Sequence, residues 1–143
     1  RTNLRIPFLC MNKVTPVMRE QRFGDIVSVS SRMGRIASEM GAYAVAKGGI
    51  VTLTKTAAIQ MKEYGVRCNA VAPGATVTPA HLANKAGEQP GGAEMLKYSG
   101  HFVYFPGPEC DPMDQAYACL YLASKMGRAV RGQVIQVCNG AFL

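Results

Sequence analysis

The feature that most constrains the fold is a pair of short apolar runs separated by one long helical pattern. The first run, residues 25–30, is rich in β-branched side chains and leads into two adjacent serines, Ser30 and Ser31. The second, residues 66–72, is followed by a Pro-Gly pair. Runs of this kind are typical of buried strands in a parallel sheet, whose ligands bind beyond the carboxyl ends of the strands. The pattern predicts an α/β fold in which both runs end at one crevice.

The segment between the two runs predicts an α-helix from Tyr43 to about Tyr64. It contains no proline, its apolar residues recur at helical spacing, and Gly65 follows its C-terminus. Tyr43 and Lys47 are four positions apart, so they share one helix face. A neighbouring ammonium favours a phenolate over a phenol, and a tyrosine tuned in this way can exchange a proton with an alcohol or a carbonyl. A serine hydroxyl nearby can hold the same oxygen by a hydrogen bond.

The segments VSVSS, YAVAK and VRCNAVAPG resemble the short-chain dehydrogenase/reductase family, in its order and at nearly its spacing. The resemblance implies a Rossmann-like parallel sheet with flanking helices. It also implies an NAD(P)(H)-dependent oxidoreductase that interconverts a secondary alcohol and a ketone, with hydride passing directly between substrate and nicotinamide. In that scheme Tyr43 is the general acid/base, Lys47 favours its phenolate and binds the nicotinamide ribose, and a serine holds the substrate oxygen.

Two adjacent serines compete for the substrate-binding role. The family's S-x-x-G arrangement selects Ser31, which lies three positions before Gly34. Counting thirteen residues back from Tyr43, the family's commoner interval, selects Ser30 instead. We assign the role to Ser31 and keep Ser30 as the alternative. The assignment implies that the loop before the tyrosine is one residue shorter than usual.

A helix predicted over residues 3–22 begins with another candidate. Asn3 satisfies the preference of helix N-caps for asparagine, and Pro7 lies near the first turn, where proline is best tolerated. The resemblance gives Asn3 a different role, that of the asparagine that completes the catalytic tetrad and supports a proton relay from the lysine to solvent. The sequence leaves both roles open, and we adopt the tetrad role.

The residues after the second apolar run, PGATVT, resemble the family's PGxxxT element. The resemblance makes Pro73, Gly74, Thr76 and Thr78 cofactor-binding residues, in addition to Tyr43 and Lys47. Backbone groups at Thr76 would bind the nicotinamide carboxamide, and Thr78 would contact the cofactor. Glycine suits this position because it permits close approach of the backbone.

The segment 79–110 is dense in glycine and proline and is predicted to be irregular, with a possible short helix over 93–98. The resemblance makes it the substrate lid, in which residues 102–105 either line an apolar pocket or dock the loop on the core. His81 and His101 fall in this segment without ligand spacing, so no catalytic role is predicted for them.

The C-terminal part predicts a helix over 111–125, opened by an Asp-Pro pair suited to N-cap and N1, and a final strand over 132–138. Tyr121 and Lys125 repeat the Tyr-x-x-x-Lys spacing on this helix. No serine-ended strand precedes them at the required distance. An ordinary helix surface is therefore predicted for this second pair.

The composition bounds the class of protein. The 143 residues suffice for a single domain, with 48% hydrophobic residues and no apolar run near the ~18 residues of a membrane span. The net charge of +7 is scattered, which disfavours nucleic-acid binding. The five cysteines are odd in number and form no C-x-x-C pair, so we expect no metal site, reduced thiols and a cytoplasmic protein. The resemblance implies a small-molecule substrate and a homodimer or homotetramer.

The glycine-rich turn that holds the pyrophosphate in dinucleotide-binding folds does not occur in this sequence. The residues that choose between NAD and NADP in the family are absent with it. Three origins are open: a longer chain, a second polypeptide that supplies the other half, or a degenerate product. The last is the alternative function, a catalytically silent chain that acts as a binding or oligomerisation module.

Overall fold

A computed structural model describes residues 2–36, 40–88 and 108–141. In that part of the chain a parallel sheet of three strands, in the order β1-β2-β3, is flanked by helices. The strands are β1 (Gly24–Val29), β2 (Val66–Pro73) and β3 (Val134–Val137). The predicted parallel sheet with flanking helices is confirmed, although β3 is shorter than the predicted 132–138.

The central strand is β2. It pairs with β1 from Val66 opposite Gly24 onwards, and it pairs with β3 from Ala70 opposite Val134. Residues 66–72 are buried, whereas β1 is mostly half-buried and Val29 is 52% exposed. The expectation of a buried first strand is wrong in this respect. Within the described residues β1 pairs with a strand on one side only.

In the part of the chain that the structure describes, four helices and three 3₁₀ turns surround the sheet. The helices are α1 (Arg5–Gln21), α2 (Gly41–Gln60), α3 (Pro79–Lys85) and α4 (Pro112–Ala123). The 3₁₀ turns are Arg32–Gly34, Lys62–Tyr64 and Lys125–Gly127. The main buried cluster lies where α1 and α2 cover the sheet, and it consists of Met11, Ala57, Ala58, Met61, Val66 and Cys68.

The start of α1 differs from the prediction. Leu4 occupies the N-cap position without a side-chain cap, and Asn3 lies exposed in the preceding turn. The predicted N-cap role of Asn3 is therefore wrong. The reason is packing, because the Leu4 side chain lies against Gly49 of α2, where an added Cβ would come within 2.9 Å of Leu4 Cδ1. Pro16 lies inside the helix, which continues to Gln21.

The end of the long helix follows the prediction in outline. Helix α2 begins two residues before Tyr43 and ends at Gln60, after which a 3₁₀ turn leads to Gly65. Gly65 has φ 74°, a left-handed conformation that favours glycine. A Cβ there would also lie 2.6 Å from the carbonyl oxygen of Arg22.

Helix α3 lies at the start of the segment that the sequence predicts to be irregular. Its signals were present: Thr78 Oγ1 accepts a hydrogen bond from His81 N at 3.1 Å, and Pro79 occupies the first turn. The expectation of a loop is therefore wrong for residues 79–85 and for His81. The possible helix over 93–98, residues 102–105 and His101 lie outside the described residues.

Helix α4 begins as predicted, with Asp111 as its N-cap. Met113 N donates to Asp111 Oδ1 at 2.8 Å, and Asp111 N donates to Asp114 Oδ2 at 2.8 Å, which completes a capping box. The helix ends at Ala123, before the predicted end, because the next residue adopts an extended conformation and starts a 3₁₀ turn. Tyr121 and Lys125 are exposed, as predicted for an ordinary helix surface.

Candidate functional site

Tyr43 and Lys47 come together at the carboxyl end of β1. Lys47 Nζ lies 5.5 Å from the centroid of the Tyr43 ring. The same atom donates a hydrogen bond to the backbone oxygen of Val29, the last residue of β1, at 2.9 Å. Lys47 is 9% exposed, and this burial lowers the pKa of its ammonium from the ordinary value. The face that spacing predicts for these two side chains is therefore turned toward the sheet.

Ser30 is held in the interior. Its side chain is 2% exposed, and its Oγ donates to the backbone oxygen of Lys47 at 2.8 Å. Its backbone N–H donates to the oxygen of Val71 at 2.8 Å, which continues the pairing of β1 with β2. The Ser30 hydroxyl therefore joins the end of β1 to helix α2.

Ser31 has a different environment. It is the N-cap of the 3₁₀ turn Arg32–Gly34, and its Oγ accepts a hydrogen bond from Met33 N at 3.3 Å. Its hydroxyl proton finds no acceptor in the part of the chain that the structure describes. Ser31 is 8% exposed, so it is only slightly more accessible than its neighbour. Of the two serines, it is the one that retains a donor for a substrate oxygen.

Gly34 allows this turn to lie directly against α2. A Cβ at Gly34 would lie 2.5 Å from the backbone carbon of Lys47 and 2.6 Å from Gly48 N. Both contacts are with backbone atoms, which cannot rotate away. The S-x-x-G spacing that selected Ser31 thus has a physical basis, since the glycine fixes the distance between the serine turn and the helix of Lys47.

Asn3 is not joined to this group. It is exposed, and within the described ranges no hydrogen bond links it to Tyr43, Lys47 or either serine. Its neighbour Leu4 packs on Gly49, two residues beyond Lys47 in α2. The structure therefore brings the start of α1 to the helix of the pair without a direct contact from the asparagine.

The loop after β2 presents a pair of unused backbone groups. Thr76 forms a parallel bridge with Cys110, in which Cys110 N donates to Ala75 O and Val77 N donates to Cys110 O, each at 2.9 Å. In parallel pairing, a residue whose two neighbours bond to the partner has its own N–H and C=O on the opposite side. Both groups of Thr76 are without a partner among the residues that the structure describes.

This arrangement suits the nicotinamide end of a cofactor. A primary carboxamide carries one acceptor oxygen and one donor NH₂ group, which match the N–H and C=O of Thr76. Thr78 lies two residues further on, where its Oγ1 already caps α3. Its hydroxyl proton remains available as a donor, because the cap uses only a lone pair.

Sequence reasoning missed Gln115, a residue of α4 that touches the same loop. Its Nε2 lies 3.3 Å from Thr76 Oγ1 and 3.2 Å from the backbone oxygen of Val137. Gln115 lies 39 positions from Thr76 in the sequence and belongs to no motif. The sequence offered one weak signal, a glutamine next to Asp114 in the first turn of a mostly apolar helix.

No group of three His, Cys, Asp or Glu side chains within the described residues is placed to hold a metal ion. Within the same ranges, none of the helices combines the length and apolar character needed to cross a membrane. All five cysteines carry free thiols.

Comparison with known proteins supplies the family. A family model described as enoyl-(acyl carrier protein) reductase matches residues 1–141. The chain is 33% identical over 142 residues to the short-chain dehydrogenase/reductase cdmF of Talaromyces verruculosus, covering 94% of this chain and 55% of that protein. It is 36% identical over 139 residues to the 7alpha-hydroxysteroid dehydrogenase of Bacteroides fragilis, covering 96% and 51%.

A solved structure agrees with these relatives. The 3-oxoacyl-(acyl-carrier protein) reductase of Brucella melitensis, determined with bound NAD, superposes with a TM-score of 0.78 at 31% identity, over 99% of this chain and 49% of that one. The chain thus spans about half the length of the proteins that it matches. From the family model, the relatives and the fold together, the chain belongs to the short-chain dehydrogenase/reductase family.

Proposed function

We propose that the protein is an NAD(P)(H)-dependent oxidoreductase that interconverts a secondary alcohol and a ketone. The observation that carries the proposal is the placement of Lys47 and Ser31 at the carboxyl end of β1, with Lys47 Nζ 5.5 Å from the centroid of the Tyr43 ring. Ligands of parallel α/β sheets bind at this edge. The family membership and the NAD bound in the Brucella melitensis reductase support the cofactor.

Tyr43 acts as the general acid/base in this scheme. Its phenol gives a proton to the carbonyl oxygen during reduction, or its phenolate removes the proton of the alcohol during oxidation. The Lys47 ammonium lies near its ring and also offers donors to the ribose of the cofactor. Bound NAD(P) supplies or accepts the hydride.

Ser31 holds the reacting oxygen through the hydroxyl proton that is not used within the described residues. Asn3 supports the proton relay from Lys47 to solvent, an assignment carried over from the family at a position that the structure places in the turn before α1. Pro73, Gly74, Thr76 and Thr78 shape the nicotinamide side, where the backbone pair of Thr76 receives the carboxamide.

The proposal is tested by Tyr43→Phe in the full-length protein. The variant keeps the ring and removes the proton donor, so turnover of secondary alcohols and ketones, followed by nicotinamide absorbance, is expected to disappear. Cofactor binding, measured by calorimetry, is expected to stay within about threefold, since a lost uncharged hydrogen bond has a modest net value. Tyr117→Phe is the matched control, because Tyr117 is 61% exposed on α4. Turnover retained by Tyr43→Phe contradicts the assignment.

A second function is favoured by the exposed apolar face of the two long helices. Val45 and Ile59 of α2 are 74% and 78% exposed, and Phe8 of α1 is 47% exposed. A chain without turnover would act through this face as an oligomerisation module, whereas an active enzyme would use it as a homodimer or homotetramer contact. Light scattering measures the mass of the assembly. Ile59→Lys is expected to lower that mass if this face joins copies of the chain, whereas Met126→Lys, at another exposed apolar position, is the control that should leave it unchanged.

The cysteines and the family bear on the cellular location and the substrate of the protein. The five free thiols support a cytoplasmic location. The substrate is a small molecule that carries a secondary alcohol or ketone. The relatives include a steroid dehydrogenase and an acyl-carrier-protein reductase, so their names do not narrow the substrate further.

A further inference from the structure

The loop that contains Thr76 is contacted by the side chain of Gln115 from α4. Gln115 Nε2 lies within hydrogen-bond distance of Thr76 Oγ1, at 3.3 Å, and of Val137 O, at 3.2 Å. Thr76 Oγ1 in turn donates to Gly74 O at 3.3 Å. The Gln115 amide therefore joins the Pro73–Thr78 loop to Val137, the last residue of β3. Its contact with the loop is the side chain of Thr76, the residue whose backbone groups have no partner within the described residues.

The carbonyl oxygen of the Gln115 side chain makes no comparable contact within the described residues. Gln115 Oε1 is buried and has no hydrogen-bond partner within the described ranges. A buried acceptor without a partner costs free energy, so this glutamine is not an efficient way to stabilise the fold. Its value lies in the donor group that contacts Thr76.

We propose that Gln115 is a positioning residue that fixes the Pro73–Thr78 loop in the shape that receives the nicotinamide carboxamide. The inference rests on the proposed function, because it assumes that this loop binds the nicotinamide end of NAD(P). Gln115 acts through the Thr76 side chain and touches neither substrate nor reacting atoms. Its contribution belongs to binding of the nicotinamide moiety and leaves the rest of the cofactor unaffected.

The distinguishing variant is Gln115→Leu in the full-length protein. It removes the donor but leaves no buried group newly unpaired, because Val137 O keeps its bond from Gly74 N at 2.9 Å and Thr76 Oγ1 keeps Gly74 O. It also removes the unpaired Oε1. The thermal midpoint is therefore expected to stay unchanged or to rise, which separates a positioning role from a structural one.

The binding readout compares two ligands by calorimetry. For NAD or NADP, whichever the protein binds, the Kd and KM are expected to rise about five- to tenfold, the size of one lost hydrogen bond. The Kd for the matching ligand without nicotinamide, ADP-ribose or its phosphorylated form, is expected to stay the same. The maximal rate is expected to fall less than KM rises. Thr76→Val is expected to reproduce the effect, and the double variant to add little, because both changes break one contact.

The control is Gln133→Leu, which removes an exposed glutamine side chain whose one hydrogen bond within the described ranges goes to Arg131 O. Equal binding of the nicotinamide cofactor by wild type and Gln115→Leu overturns the inference and leaves the proposed function standing. A parallel loss of ADP-ribose affinity or of the thermal midpoint also overturns it, since the residue would then be structural. Failure of the wild type to bind any nicotinamide cofactor overturns the proposed function and the inference together. If Gln115→Leu does not fold, Thr76→Val decides by the same comparison.

Discussion

Arg67 Nη2 lies 2.7 Å from Asp25 Oδ1, between residues that are direct partners in the β1–β2 register. The side chains are only 10% and 16% exposed. The same guanidinium donates from Nη1 to Gly127 O at 2.6 Å and from Nη2 to Ser124 O at 3.3 Å. One arginine therefore ties the edge strand to the carbonyl groups just beyond α4, where a cation is favoured.

Replacing Arg67 by Met is expected to destabilise the fold strongly. The change leaves Asp25 charged and largely buried without its partner, and loss of one member of such a pair costs about 3–5 kcal/mol. Urea unfolding measures the loss, with Arg128→Met as the control because Arg128 is exposed near the same turn. Asp25→Leu added to Arg67→Met is expected to restore part of the stability. Equal unfolding midpoints for Arg67→Met and Arg128→Met would show that the pair contributes nothing.

The two serines are expected to differ in their effect on turnover. Ser31→Ala removes the available donor and is expected to reduce turnover by roughly 10²–10³-fold, the cost of one positioned donor. It also removes the cap of the 3₁₀ turn, so a loss of stability of about 1 kcal/mol is expected. Ser30→Ala removes a buried bond to Lys47 O and is expected to lower stability by about 0.5–1.5 kcal/mol while turnover persists. Activity assays and urea unfolding of both variants give the comparison. Loss of turnover in Ser30→Ala alone would transfer the role to Ser30.

The stability of the wild type is expected to depend on pH in a way that Lys47→Met removes. Burial lowers the Lys47 pKa in the folded protein from the ordinary 10.5, so the unfolded chain binds more protons between the two values. The wild type therefore gains stability relative to Lys47→Met as pH rises through the lowered pKa toward 10.5. Urea unfolding at pH 7 and pH 10 measures the difference between the two proteins. A difference that moves the other way would show that the hydrogen bond to Val29 O stabilises the ammonium more than burial destabilises it.

The sequence predicted those parts of the molecule that depend on local rules. The Asp111 cap, the left-handed Gly65 and the shared face of Tyr43 and Lys47 each follow from residues within a few positions of one another. The assignment of Ser31 rather than Ser30 also rests on a local spacing, and it stays a prediction. The structure shows what the glycine of that spacing does, since Gly34 packs against the backbone of Lys47.

The features that the sequence did not predict depend on contacts between distant residues. Leu4 rather than Asn3 starts α1 because Leu4 packs on Gly49, and no local rule contains that contact. No local pattern predicts the partners of Arg67, because its carboxylate and carbonyl partners lie 42 and about 60 positions away. Helix α3 is the exception, because its Thr-Pro start was a local signal that the density of glycine and proline obscured.

Gly34→Ala is expected to disturb the site and the fold together. The added methyl group would meet Lys47 C at 2.5 Å and Gly48 N at 2.6 Å, both backbone atoms, so the serine turn must move away from α2. Overpacking of this kind costs about 1–3 kcal/mol, and turnover should fall because Ser31 moves with the turn. Gly41→Ala is the matched control, since a Cβ there meets nothing within 4 Å and alanine favours a helix over glycine. Urea unfolding and turnover of the two variants are compared, and equal stability would show that the turn yields without cost.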